Sequence, residues 1–531
     1  MKKPSITQHP SSITSYLCTL LFGVAVFLFF GLAYPHHLHY QEQFQLFLFD
    51  STYVWEIIRL PGGVADLLGR FCTQFFLYAW VGAFIIALLL SAVHLLTFRL
   101  FNVLSSRVWR CEQSSMVNGQ WFYGLSFIPS FLLWLFLLDE HALLGGVWAV
   151  LLTQLAVWGL MGSVLRMVGT VLRVHTSVHT RTVPFVQSGR TVPFVLLVFV
   201  TFFVLNWVAF GGRHYYRYPT IFPTLLYVAW ASAVIIPFLV CMVGTVLRRL
   251  HKGDGSGVHT GVHAQNRPHY ASGWRQQIIH FSLFAITFII MMIFVWQNAN
   301  FKAEKVMQYD FMARHQQWNR IIQTINDEKP NNQIGVTVQN LALAMHGQLV
   351  NHLSDYTQNG IAGLLPDVQS DATSPLPTAE AFYQLGMIYV AQRTVFEAQE
   401  AILDFQKSAR CYKRLAQTNL IIGSYEVARK YLAALQKTLF YRDWADETLL
   451  LLGNEDAIAK HPEYGRLRQC AYNNDFYFSD HVTPEMLESL YHSNPDNHLA
   501  LQYLIAYYML TGDREGYAKL MEEVRSKRED V

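Results

Sequence analysis

The chain has 531 residues, of which 52% are hydrophobic and 15% charged, and its net charge at neutral pH is +3. Such an apolar composition excludes an intrinsically disordered chain. The balance of 40 Lys and Arg against 37 Asp and Glu leaves no basic field, and excludes nucleic acid as a partner.

Long apolar runs fill the first half. They cover about 16–34, 74–98, 121–138, 142–165, 191–211, 221–247 and 278–297, and none contains Asp, Glu, Lys or Arg. An apolar run of about 18 residues or more is long enough to cross a bilayer as a helix. Aromatic residues such as Tyr34, Trp80, Trp121 and Trp296 mark their ends, where amphipathic rings favour the membrane–water boundary. The fold expected is all-α: a seven-helix transmembrane bundle over 1–297, followed by a soluble helical domain over 298–531. Lys2 and Lys3 precede the first run, which is too long for a secretion signal and is read as a retained anchor. The absence of charge within the runs argues against a proton-relaying transporter.

Loop charge gives the orientation. Alternate loops carry fourteen basic residues from Lys2 to Arg275, whereas the opposite loops carry Arg59, Arg70, Arg213 and Arg217. Basic residues accumulate on the cytoplasmic side. The amino terminus is therefore expected inside and the 298–531 domain outside, which in a Gram-negative cell is the periplasmic side of the inner membrane.

In the first exterior loop, Phe44, Phe47 and Leu48 fall on one helical face, which predicts a helix lying along the membrane surface. Pro61-Gly62-Gly63 then breaks the chain before another helix, whose unpaired amides form an anion site with Arg59 and Arg70 close in sequence. A lipid phosphate suits it; an ordinary turn with arginines at the headgroups explains it as well. The second exterior loop is Asp139-Glu140-His141. With Glu42, these carboxylates form a candidate acidic site in which one acts as general base or two hold a divalent cation. The plainer reading is solvation of a short turn. The third exterior loop, 211–218, offers Arg213 and Arg217 to phosphate or to headgroups.

Two cytoplasmic loops contain duplicated sequence. Arg181–Val186 recurs at Arg190–Val195, and His175, His179, His259 and His263 belong to repeated Val-His units that point to duplication rather than to a metal site. Beyond residue 297 the chain reads as irregular helical repeats. Ala381–Tyr389 has the first-helix pattern of a tetratricopeptide repeat, with Leu385, Gly386 and Tyr389 in phase. Further units surround Gly423 and Gly512, with weaker ones at Trp318 and Gly347. A stack of helix pairs builds a continuous core and a surface for a protein or peptide partner. Phe440, Tyr441 and Trp444 form an aromatic cluster that reads as core. Six cysteines stand singly, and Cys411 and Cys470 in the last domain are expected to be buried separately rather than bridged.

Tyr40-Gln41-Glu42-Gln43, Pro61-Gly62-Gly63, Gln74-Phe75-Phe76 and the stretch 431–445 together resemble a bacterial multi-pass membrane family of unknown function. The layout more distantly resembles GT-C glycosyltransferases. That resemblance implies a polyprenyl-phosphate-linked sugar donor. It implies Glu42, Asp139 and Glu140 as catalytic or metal-binding acids, and Arg59, Arg70, Arg213 and Arg217 as lipid-phosphate ligands. The sequence departs from the GT-C pattern in carrying Glu rather than Asp in the first loop, a shorter second-loop motif and fewer spans. The alternative is a non-catalytic, membrane-tethered repeat scaffold that binds envelope proteins.

Overall fold

The computed structural model describes residues 10–108, 124–175, 225–237, 273–367, 374–402, 406–472 and 484–529. All regular structure among them is helical. The chain forms two compact units. One comprises Met1–Gln41 and Thr52–Asn300, the other Glu42–Ser51 and Phe301–Val531.

In the first unit, two helices are long and apolar enough to cross a membrane, Tyr16–Ala33 and Ala79–Asn102. A third is added if Phe284–Asn298 is counted together with the helix that follows it. The described residues therefore carry two or three such helices, not the seven expected. Run 121–138 is helical mainly over Ile128–Phe136. At 1.5 Å per residue that helix falls well short of a hydrocarbon core about 30 Å thick. Run 142–165 falls largely in the helix Leu144–His175, whose apolar stretch is Leu144–Gly159, and run 221–247 yields the apolar helix Leu225–Pro237. Run 191–211 and the duplicated loop sequences at 181–195 and 258–263 lie outside the described residues.

The helices Gly63–Thr73 and Leu144–His175 meet backbone to backbone. A Cβ on Gly69 would lie 2.4 Å from the Gly145 nitrogen and 2.6 Å from its Cα, so glycine at 69 is what permits the approach.

The second unit repeats one local device. Helix pairs Phe301–Arg314 and Trp318–Glu328, Gln333–Met345 and Leu349–His352, Pro375–Leu385 and Ile388–Glu400, Ala409–Ile421 and Tyr425–Leu435, and His498–Thr511 and Arg514–Glu529 each turn through a short link. In each link an amide reaches back five residues: Gln317 to Met312, Gln348 to Leu343, Met387 to Phe382, Ser424 to Asn419 and Asp513 to Tyr508, at 2.8–3.1 Å. The residue before each donor is left-handed, at Gln316, Gly347, Gly386, Gly423 and Gly512. This is the glycine-ended cap that satisfies the last carbonyls of a helix. Gly386 therefore ends a helix, whereas the sequence pattern placed it inside one with Leu385 and Tyr389.

Tyr383, Leu385, Leu420, Tyr503 and Leu504 are among the fully buried residues of one continuous core. The last hairpin returns to earlier ones. The Asn497 amide donates to the Leu385 carbonyl at 2.8 Å, and the Gln502 amide to the Ala344 carbonyl at 3.1 Å. Cys411 and Cys470 are both buried free thiols, as their isolated positions suggest.

Glu42–Ser51 belongs to this second core. Leu46 is buried with Ala409, Ala416, Leu432, Leu435 and Ala445, and Leu48, Tyr441 and Trp444 pack against them. The Leu46 amide donates to the Lys407 carbonyl and the Phe49 amide to the Lys437 carbonyl, both at 2.7 Å. The Lys437 ammonium pairs with Asp50. Residues 45–50 are not helical, so the surface helix expected at Phe44, Phe47 and Leu48 is absent. Phe44 and Phe47 are instead buried.

Gln316 holds a positive φ of 53° without being glycine. Gln316→Gly should stabilise the chain by about 0.5–1 kcal/mol by relieving that conformation. Gly386→Ala should destabilise it by about 1–3 kcal/mol, because a Cβ there would lie 2.6 Å from the Cys470 carbonyl oxygen. Thermal unfolding of the full-length chain in detergent checks both.

Candidate functional site

The acidic turn Asp139-Glu140-His141 follows the short helix Ile128–Phe136 and is held by the helix Pro35–Gln41. The Gln41 amide donates to the carbonyls of Asp139 and Ala142, at 3.3 and 3.0 Å. The His37 Nε2 lies 2.9 Å from the Leu137 carbonyl oxygen. Within the turn, the His141 amide donates to the Asp139 carboxylate at 2.8 Å. One ligand atom from each of Asp139, Glu140 and His141 falls within 4.8 Å of the others, and all three residues are half-buried. Two carboxylates and an imidazole at this spacing suit a divalent cation. Desolvation pushes the Asp139 carboxyl up, but the hydrogen bonds from His141 outweigh it. The group therefore sits below its ordinary range and is an anion at neutral pH. Burial holds His37 down, to about 4, so this imidazole is neutral.

The four arginines do not form one group. Arg70 is buried and occupied: its Nε and Nη2 donate to the two Asp66 carboxylate oxygens at 3.1 and 2.9 Å, and its Nη1 lies 3.5 Å from the Tyr53 hydroxyl. This bidentate pair pins the helix Gly63–Thr73 from within, one turn apart on its own surface. Arg59 is exposed at the end of Ser51–Ile58. Arg213 and Arg217 lie outside the described residues.

Glu42 belongs to the second unit, whereas Asp139 and Glu140 belong to the first. It is 4% exposed. Its Oε1 accepts from the Tyr441 hydroxyl at 3.0 Å, and its Oε2 has no hydrogen-bond partner. Burial raises its pKa, against the opposing charges of Arg314 and Arg410 and the Tyr441 hydrogen bond. Next to it, Gln43 accepts from Arg410 at 2.9 Å. The same guanidinium holds both Asp310 oxygens at 2.7 and 2.8 Å. Ser408 starts the helix that positions Arg410, accepting from the Cys411 amide at 3.1 Å. One Glu42 carboxylate oxygen is thus bonded and the other is buried without a hydrogen bond.

Sequence reasoning missed Gln41, His37, Asp310, Arg410 and Gln43 as positioning residues. No local pattern marks them, since Arg410 and Gln43 are 367 positions apart. A hint was present in the density of buried-type residues around Glu42, which a solvated loop does not need.

The raised Glu42 pKa carries a sign. The native state binds the proton more tightly than the unfolded chain, so this contribution is complete below the ordinary glutamate value and is lost as pH rises through the native value. Glu42→Gln keeps an acceptor for Tyr441 and removes the titration. The variant should be at least as stable as the parent at pH 8, and its advantage should shrink as pH falls to 4. Paired thermal unfolding curves across that range measure it.

No curated protein and no solved structure matches the chain. A profile of a family of unknown function, DUF6057, matches residues 11–529. With nearly the whole length aligned, the chain belongs to that family.

Proposed function

We propose that the protein is a membrane-tethered helical scaffold, whose second unit binds an envelope protein or peptide and performs no chemistry. The observation that carries this reading is the state of Glu42. The acid best placed by sequence to act as a base is buried under Tyr441, inside a core built by residues more than 350 positions away. The helix pairs of the second unit, read as degenerate tetratricopeptide-like repeats, supply the binding surface.

The same segment supports an exported second unit. Glu42–Ser51 follows the first apolar helix, and Phe301 follows the last; both enter one compact unit. The chain must then cross the membrane an even number of times between residues 51 and 301. Counting the first helix, the total is odd. With the amino terminus cytoplasmic, as the loop charges favour, the second unit is periplasmic and the anchor lies in the inner membrane. Three spans satisfy this parity, and so do seven.

A second reading, a GT-C-like transferase using a polyprenyl-phosphate-linked sugar, is favoured by one observation, the Asp139-Glu140-His141 cluster and its fit to a divalent cation. Glu42→Gln and Asp139→Asn, each introduced in cells, separate the two readings. Unchanged lipid-linked sugars and surface glycans at normal protein abundance are expected for the scaffold. Loss of a glycan in Asp139→Asn, with abundance preserved, selects the transferase. A phosphatase reporter fused after Val531 should be active only outside the cytoplasm.

A further inference from the structure

The helix Gly63–Thr73 is amphipathic with its two sides reversed. Val64, Leu67, Leu68 and Phe71 share one side at spacings of three and four, and Asp66, Arg70 and Thr73 share the other. The polar side is the buried one, with Asp66, Arg70 and Thr73 only 3%, 7% and 2% exposed. On the apolar side, Val64 and Phe71 are exposed and Leu67 and Leu68 are half-buried. A helix of the same length in the second unit, Tyr425–Leu435, has the ordinary sense. It buries Ala428, Leu432 and Leu435 and exposes Glu426, Arg429 and Lys430. Contact with water enforces that ordinary sense, whereas contact with hydrocarbon favours the reverse.

The helix before it carries the apolar surface further. In Ser51–Ile58, Ile57 is buried and the Tyr53 hydroxyl lies 3.5 Å from the Arg70 Nη1. Trp55 and Ile58, three apart, hold an exposed apolar side, and Thr52 and Glu56, four apart, an exposed polar one. Trp55 is 67% exposed, and Leu60 and Val64, flanking the Pro61-Gly62-Gly63 turn, are 47% and 49% exposed. Exposed apolar residues then continue into the helix Ala79–Asn102 at Trp80, Phe84 and Leu88. Apolar surface left open over this length marks an interface. At about 1.5 Å per residue, Gly63–Thr73 covers about half of a hydrocarbon core about 30 Å thick, so it cannot cross.

We propose that Ser51–Ile58 and Gly63–Thr73 form a wedge that enters a single leaflet, the one in which Tyr16–Ala33 ends and Ala79–Asn102 begins. Trp55, Ile58, Leu60 and Val64 lie among the upper acyl chains, and the partner of this surface is the bilayer. Lipid is favoured over a second copy of the chain because the surface runs on into the exposed apolar residues of a helix long enough to span. Trp55 is also the residue type that gathers at the boundary between headgroups and acyl chains. Arg70 turns inward to its bidentate partner Asp66, as a charge beside hydrocarbon requires. The assignment goes beyond both functional readings and depends on neither.

The test uses the full-length protein with p-benzoylphenylalanine introduced at Trp55, Val64, Phe84 or Glu56. Each variant is placed in nanodiscs of phosphatidylethanolamine and phosphatidylglycerol, irradiated, and digested for mass spectrometry. All four side chains are exposed, so the replacement removes little packing. Ile58 and Leu60, exposed as well, serve if a variant fails to fold. Lipid adducts should form at Trp55 and Val64 as they do at Phe84, and roughly tenfold less at Glu56. Adducts to peptides of the same chain or of a second copy at Trp55 and Val64 would overturn the wedge. So would lipid adducts at Glu56 equal to those at Val64, since a helix lying in the boundary keeps its polar side in water. Adducts at Phe84 with none at Val64 would overturn the wedge and leave the span standing; no adduct even at Phe84 would overturn both.

Discussion

Ten residues of an early loop belong to the compact unit whose other residues begin at Phe301, with Glu42, Phe44, Leu46 and Phe47 buried, and the organisation of the chain follows from that constraint. The polypeptide enters the second unit at Glu42, leaves at Ser51 and returns at Phe301, so covalent links join the two units at three places. A loop so placed is no longer a loop in energetic terms. Leu46 loses nearly all of its exposure, and each large apolar side chain buried in this way contributes about 1.5–3 kcal/mol. The backbone bonds at Leu46 and Phe49 satisfy groups that burial would otherwise strand.

Burying that segment brought polar groups with it, and they are managed unequally. Gln43, Arg410 and Asp310 form a closed set in which the guanidinium meets both carboxylate oxygens and the amide oxygen. Such a pair adds little by its presence, but removing one partner strands a buried charge, at a cost of about 3–5 kcal/mol. Glu42 is only half satisfied, with one oxygen under Tyr441 and the other without a partner. Local polar strain of this kind is tolerable where apolar packing on either side fixes the segment.

Much of the helical architecture was legible. Apolar runs free of charge marked the first unit, and the segments around Gly347, Gly386, Gly423 and Gly512 were legible as helical stretches of the second. What could not be read was the role of those glycines as helix ends, because the same Leu-Gly spacing suits a helix interior in a repeat motif. Gln316 escaped notice for the opposite reason, since nothing in a glutamine announces a left-handed turn. The expected surface helix failed on a different point. Phe44 and Phe47 have helical spacing, but backbone and side-chain partners at Lys407, Lys437 and Arg410 override local periodicity, and sequence carries no sign of contacts so distant. The acidic turn was visible as a motif. Its support from Gln41 and His37 was not, because the donors bind backbone carbonyls, which every residue has.

Hydrogen–deuterium exchange of the full-length protein in nanodiscs addresses the placement of Glu42–Ser51 most directly. The amides of Leu46 and Phe49 should exchange as slowly as those in the middle of Ala409–Ile421, since they open only when that core opens. Exchange of both within seconds, at the rate of an unprotected peptide, would contradict the account.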